Sequence, residues 1–441
     1  MVSRDFSDAT GDALVVKGGA RLRGEVVLAG ARDLAVPLLA AALLSPGRSL
    51  VRFVPEVGEV ATLERRLIAL GCAVGWRGGN VSVDASPASP RAPDAHDGLW
   101  AAGTADGGLP ILTAGALLGR FGEAHLPRDL RSEPEADEAL SALEALGAEV
   151  GGDGTTVVAR GGRLRGGSFA FARASVIATE TALLAAVLAG GRSTLENGAT
   201  APEIEQLGQA LNKMGARVHG AGTPLVSIEG VDRLHPLEHS LPGDWREAGT
   251  LLIAAALTRG NVLVRNPPVE RLQPVIMKLK AAGVSVASDG DGVRVGAGEL
   301  APADIVSRPH PGFPAALLGP MAALMTRAVG RSVLTAGEDA GLTGDGAALA
   351  CAPGLSALGA DVTVDGRTLL VRGPTRLTGA VVEAPAVPGA AAAVLLAALA
   401  AEGTTEILRI GGLDRGYERL DRKLRALGAS LRREQRTRKT S

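Results

Sequence analysis

The segments GEVVLAG (Gly24–Gly30), DLAVPLLAAALL (Asp33–Leu44), RSLVRFV (Arg48–Val54), EVATLERRLIALG (Glu59–Gly71), AVGW (Ala73–Trp76) and NVSVDA (Asn80–Ala85) decide the fold. They read as strand, helix, strand, helix, strand, strand. The pattern then recurs along the chain. The end of the second helix marks each copy, with glycines at Gly71, Gly147, Gly215, Gly283, Gly359 and Gly428, spaced 76, 68, 68, 76 and 69 residues apart. Each stands where a helix has to stop and turn into a strand. A second series, Gly47, Gly122, Gly191, Gly260, Gly330 and Gly403, precedes the second strand of each copy in the same register. Two glycine series in one register define a six-fold internal repeat, longer in period than the common solenoid repeats.

The two helices of a copy differ in kind. The second is amphipathic, as in APEIEQLGQALNKMG (Ala201–Gly215) and YERLDRKLRALG (Tyr417–Gly428). The first is apolar nearly all round: LAVPLLAAALL, TALLAAVLAG from Thr181, AGTLLIAAAL from Ala248 and GAAAAVLLAALA from Gly389. A helix with no polar face is buried, and these runs are too short to span a bilayer. The pattern therefore predicts helices at the centre, strands wrapped around them with one face to water, and two globules of three copies each.

Composition bounds the rest. The 441 residues are enough for two domains, and apolar content of 46% supports sizeable cores, but aromatics are only 2%. The net charge of −1 gives no basis for a nucleic-acid or membrane partner. The opening MVSRDFSDATGD is polar and acidic, unlike a secretory leader, so a cytoplasmic protein is expected. Two cysteines, Cys72 and Cys351, form neither a disulfide framework nor a metal-ligand spacing. No metal and no cofactor are expected. The tail RREQRTRKTS (Arg432–Ser441) has no apolar residue and reads as a solvated end.

The repeat, with the segments GEVVLAGARDLAVPLLAAALL, STLENGATAPEIEQL, IEGVDRL and LDRGYERLDRKLRALGA, resembles the enolpyruvyl transferases, most of all those acting on UDP-N-acetylglucosamine. The resemblance covers roughly Leu14 to Leu431. It implies an α/β fold of two inside-out barrels, each of three βαβαββ units. The first barrel would hold residues 29–242 and the second residues 12–28 with 243–431, after a disordered lead (1–11) and before a flexible basic tail (432–441). It further implies a monomer that takes a small-molecule substrate, a nucleotide or nucleotide sugar and phosphoenolpyruvate, in the cleft between the barrels. That reaction moves a carboxyvinyl group to a hydroxyl and releases phosphate. A phosphate and a carboxylate with about three negative charges need several Arg or Lys donors, and protons must reach the methylene carbon and leave the hydroxyl.

Residue by residue, the match is uneven. Where the family has Gly-Ala-Lys-Asn this chain has Gly30-Ala31-Arg32-Asp33. Arg32 keeps the cation but not an amine's proton chemistry; the alternative is an ion pair of Arg32 with Asp33 at a helix start. Residues 92–119 contain no Lys or Arg, so an arginine expected there is absent. The family's cysteine loop reads HLPRDLRSEPEADEAL (His125–Leu140), with Asp129 or Leu130 at the cysteine's place and Asp129 the candidate catalytic group. The stretch that holds uracil and phosphate in the family reads Glu133-Pro134-Glu135-Ala136-Asp137-Glu138, which adds carboxylates to an anion site.

Further on, Arg173-Ala174-Ser175-Val176 matches the stretch that meets the nucleotide diphosphate. Arg173, Ser175 and Val176 are substrate-binding candidates, and Ser175 is equally a helix cap. Asp244 and Glu247 match an acidic pair at the cleft. Pro309-His310-Pro311-Gly312-Phe313-Pro314 survives, but Ala315-Ala316 follow where the family's catalytic aspartate stands. Residues 332–366 contain no Lys or Arg, and Ala386-Val387-Pro388-Gly389 replaces Asp-Leu-Arg-Ala. Asp414-Arg415-Gly416-Tyr417-Glu418 is intact; Arg415 matches a phosphoenolpyruvate contact, with an ion pair to Asp414 or Glu418 as the alternative.

Three readings stay open: a carboxyvinyl transferase acting on a nucleotide, nucleoside or nucleotide sugar; a catalytically silent paralogue that binds a ligand or partner; and an ordinary UDP-N-acetylglucosamine enzyme of peptidoglycan synthesis.

Overall fold

The structure is a computed structural model and describes residues 12–89, 109–126, 134–151, 156–159, 162–337 and 348–435. The expected disordered lead, residues 436–441 of the basic tail, residues 90–108 and half of the segment 335–354 lie outside these residues; Arg432–Gln435, expected in the flexible tail, instead belong to the strand Ser430–Gln435, which pairs with Asp12–Lys17. The chain divides into two compact units, one of Met1–Ala29 with Pro242–Ser441 and one of Gly30–Leu241.

Each unit is built from three sheets around apolar helices. In the Gly30–Leu241 unit the helices Arg32–Ala41, Leu109–Phe121 and Val176–Ala186 pack on one another. Trp245–Leu257, Leu318–Met325 and Pro388–Ala400 do the same in the other. Every residue from Gly389 to Leu399 is buried. The reason is composition: Ala and Leu favour helix and leave no polar group to satisfy. Full burial of each Leu adds roughly 1.5–3 kcal/mol. Strands such as Arg192–Glu196 alternate between buried and exposed residues, one face inward and one to water.

The sheets share one plan. The first and second strands of a copy pair in parallel across the apolar helix, as Ser168–Ala170 pairs with Arg192–Glu196, and the last two strands add an antiparallel hairpin. Three copies depart from it: in the sixth, Asp12–Lys17 from the start of the chain stands between Thr404–Leu408 and Ser430–Gln435, and the opening and fourth copies exchange their first strands. Arg23–Val27 does not join Arg48–Arg52 but pairs in parallel with Asn261–Arg265, and Glu238–Ser240 takes its place beside Arg48–Arg52. The chain therefore leaves one unit after Ala29 and returns to it at Pro242. The three-stranded sheet of Glu123–His125, Thr156–Ala159 and Ala148–Val150 has no parallel edge strand among the described residues.

All six glycines of the helix-end series have positive φ, between 82° and 100°. The second series is mixed: Gly260 lacks a positive φ, because Arg259 before it takes the left-handed conformation (φ 50°). Gly260 is needed for space instead, since a Cβ there would lie 2.2 Å from the Leu22 carbonyl oxygen. A third register went unread in the sequence. Phe53, Asn197, Asn266 and Arg409, each just after a second strand, have φ of 62°, 55°, 47° and 56°.

Candidate functional site

In the Gly30–Leu241 unit, the helix starting at Arg32 is entered through Gly30, which lies against Phe53: a Cβ on Gly30 would be 1.9 Å from the Phe53 carbonyl oxygen. The Arg32 guanidinium bonds Asp33 at 3.1 Å and Glu59 at 3.3 Å. Glu59 sits in the first turn of Gly58–Ala69, where a carboxylate is favoured by the helix dipole. Arg32 is thus engaged by two carboxylates of its own unit.

Ser175 caps Val176–Ala186, its hydroxyl accepting the Ala178 N–H at 3.3 Å. Thr179 ties this start to the loop before the helix Pro202–Lys213: its hydroxyl donates to the Ser175 carbonyl at 2.7 Å and accepts the Ala199 N–H at 3.1 Å. Val176 is 36% exposed. Arg173, two residues before the cap, is exposed and has no hydrogen bond or ion pair with any described residue.

Glu180 was missed in the sequence. It is a lone carboxyl at the start of an apolar run, and that isolation was its signal. It is 4% exposed, and its Oε1 has no hydrogen-bond partner among the described residues. Burial, with Glu203 and Asp33 near it, pushes its carboxyl well above the usual range. Asp33 and Glu203, each in the first turn of its helix, are therefore both within electrostatic reach of Glu180.

In the other unit Asp244 caps Trp245–Leu257, accepting the Arg246 and Glu247 N–H groups at 2.7 and 3.0 Å. Glu247 is 2% exposed. Its Oε1 pairs with the Lys423 ammonium and its Oε2 accepts the Ala29 N–H at 2.8 Å. Burial raises its carboxyl to about 7, against the downward pull of Lys423 and of the Ala29 bond. Both acidic candidates thus have structural work in this unit.

Arg415 donates to the Ala386 carbonyl at 2.9 Å. Asp414 is held instead by Arg433, at 2.6 and 2.8 Å, and Glu418 lies 3.6 Å from Lys423. Ala316, in the 3₁₀ turn Ala315–Leu317, and Gly389, in the first turn of Pro388–Ala400, meet directly. A Cβ on Gly389 would be 2.2 Å from the Ala316 carbonyl oxygen. Where the resemblance implies a catalytic aspartate and an Asp-Leu-Arg run, this chain has close helix-end packing. Asp129 lies outside the described residues.

A family model for EPSP synthase (3-phosphoshikimate 1-carboxyvinyltransferase) matches residues 16–424. The chain belongs to this family. It is 40% identical over 431 residues to a UDP-N-acetylglucosamine 1-carboxyvinyltransferase of Myxococcus xanthus, covering 96% of this chain and 99% of that one. It is 41% identical to a protein of the same name in Anaeromyxobacter sp. (strain K), again over 96% and 99%. Among solved structures, the enolpyruvyl transferase NikO from Streptomyces tendae superposes with a TM-score of 0.82 at 25% identity, covering 97% of this chain and 100% of that one. An EPSP synthase from Acinetobacter baumannii superposes at 0.75 with 18% identity over 96% and 100%, which speaks for the fold alone. The two barrels of βαβαββ units are the enolpyruvyl transferase fold. No helix of the described residues is long and apolar enough to cross a membrane.

Family membership makes cysteine reactivity a direct test. Cys72 is 5% exposed and burial pushes its thiol up to about 11; Cys351 is fully buried and pushed up to about 12. The thiolate is the nucleophile, and neither group forms it at neutral pH. Incubation with fosfomycin, the epoxide inhibitor of the resembled enzymes, is expected to leave the intact mass unchanged. An added inhibitor mass on either cysteine would show a reactive thiol and overturn the expectation.

Proposed function

We propose that this family member takes a nucleotide, nucleoside or nucleotide sugar as its ligand, and that UDP-N-acetylglucosamine is not an efficient carboxyvinyl acceptor for it. The observation that carries the reading is Arg173. It is exposed, without a partner among the described residues, and two residues ahead of the Ser175 cap of Val176–Ala186. A cation beside a helix N-terminus is suited to a phosphate. Arg32 and Arg415, by contrast, are already bonded inside their own units.

The test is a calorimetric titration of UMP, uridine and UDP-N-acetylglucosamine, each with and without phosphoenolpyruvate. Saturable binding of a phosphate-bearing uridine compound, weakened at least five-fold in Arg173→Ala, is the expected result. No binding of any of the three would sink the reading. The identity of about 40% to curated UDP-N-acetylglucosamine 1-carboxyvinyltransferases favours a second reading, the ordinary peptidoglycan reaction. Turnover decides between the two.

A further inference from the structure

Phe53 is the only strongly exposed aromatic side chain among the described residues, at 61%, in a chain that is only 2% aromatic. Its φ is 62°, in the left-handed region. Asn enters that region readily through local hydrogen bonding; a bulky aromatic residue there is an outlier and costs energy. The repeat supplies its own control. At the equivalent points of two other copies the left-handed residue is Asn197 and Asn266, and in a third it is Arg409. Asn197 uses its side chain structurally, its amide donating to the Phe171 carbonyl at 2.9 Å. Phe53 therefore combines a strained backbone with a large apolar face left in water, and neither favours the folded chain.

Its place in the fold gives the pair of costs a meaning. The backbone of Phe53 abuts Gly30, two residues before Arg32, at the start of Arg32–Ala41. It also precedes Gly58–Ala69, whose Glu59 bonds Arg32. The residue thus stands at the end of its unit where helix N-termini gather. An exposed ring there offers a sequence-tolerant stacking surface for a heterocyclic base.

We infer that Phe53 is a specificity residue that stacks on the nucleobase of the ligand. The inference rests on the nucleotide reading above. Three variants test it by calorimetry, with UMP and with ribose 5-phosphate, which has the sugar and phosphate but no base. Wild type is expected to bind UMP more tightly than ribose 5-phosphate. Phe53→Asn is expected to lose about five-fold or more in UMP affinity, the low end of one base–aromatic stack. Its ribose 5-phosphate affinity should not change, and its melting temperature should stay equal or rise as strain is relieved. Phe53→Tyr should keep the UMP affinity, and Phe53→Leu should lose it without the change in backbone preference. Equal UMP affinity in wild type, Phe53→Asn and Phe53→Leu would overturn the inference and leave the nucleotide reading standing. No UMP binding by wild type would overturn the inference, and no binding of UMP, uridine or UDP-N-acetylglucosamine would overturn the nucleotide reading with it.

Discussion

With UDP-N-acetylglucosamine and phosphoenolpyruvate, the purified protein is expected to release phosphate at least 10⁴-fold more slowly than an enzyme turning over at about 10 per second. Each missing part is costly on its own. A positioned acid–base group contributes about 10²–10⁴-fold, and where the resemblance implies one this chain has Ala316, packed against Gly389. Each electrostatic donor to the developing charge contributes about 10²–10³-fold. No Lys or Arg occurs in residues 92–119 or 332–366, where two were expected. Arg32, the candidate substrate-binding cation of the first copy, is bonded to Asp33 and Glu59. A phosphate-release assay over hours measures the rate. Turnover of about 1 per second or faster would sink the expectation and restore the peptidoglycan role, and Asp129→Asn would then show whether the loop carboxylate carries the chemistry.

The six-copy plan was legible because backbone geometry dictated residue type. A helix that ends left-handed wants glycine, and Gly71, Gly147, Gly215, Gly283, Gly359 and Gly428 all have the positive φ that this requires. The register at Phe53, Asn197, Asn266 and Arg409 was illegible for the converse reason, since three residue types fill one conformation. The parallel partner of Arg48–Arg52 could not be chosen from pattern, because Arg23–Val27 and Glu238–Ser240 are both short edge strands and only pairing tells them apart. At the candidate site, local roles were visible: Ser175 as a cap, Arg32 with Asp33 as a helix-start pair. Long-range roles were not. Glu247 and Lys423 are 176 residues apart, and nothing in DWREAGT or YERLDRKLRALG announces that they meet.

That pair supports the second large effect. Glu247 is almost wholly buried, Lys423 is 16% exposed, and both lie in the unit that Ala29 joins through its N–H bond to Glu247. Removing one partner of a buried ion pair leaves an uncompensated charge and costs about 3–5 kcal/mol. Glu247 can escape part of that cost by taking up a proton, at about 1.4 kcal/mol per unit between its folded pKa and the ambient pH, so Lys423→Met is expected to destabilise the fold by about 1–2 kcal/mol near pH 8, read from denaturant midpoints. The pH dependence has a definite sign. Burial holds the folded Glu247 carboxyl at about 7, above the ordinary glutamate value of 4.5. Its contribution is fully present below about pH 4.5 and is lost as pH rises through about 7. Lys423 pulls that pKa down, so its removal moves the loss to higher pH and deepens it, and the gap between Lys423→Met and wild type should narrow on acidification from pH 8 to pH 5. The double variant Glu247→Gln with Lys423→Met leaves no buried charge at the pair and keeps an amide oxygen for the Ala29 N–H. It should recover most of the lost stability and flatten the profile. A destabilisation by Lys423→Met that is the same at pH 5 and pH 8, and unrelieved in the double variant, would show that the lysine matters for packing alone.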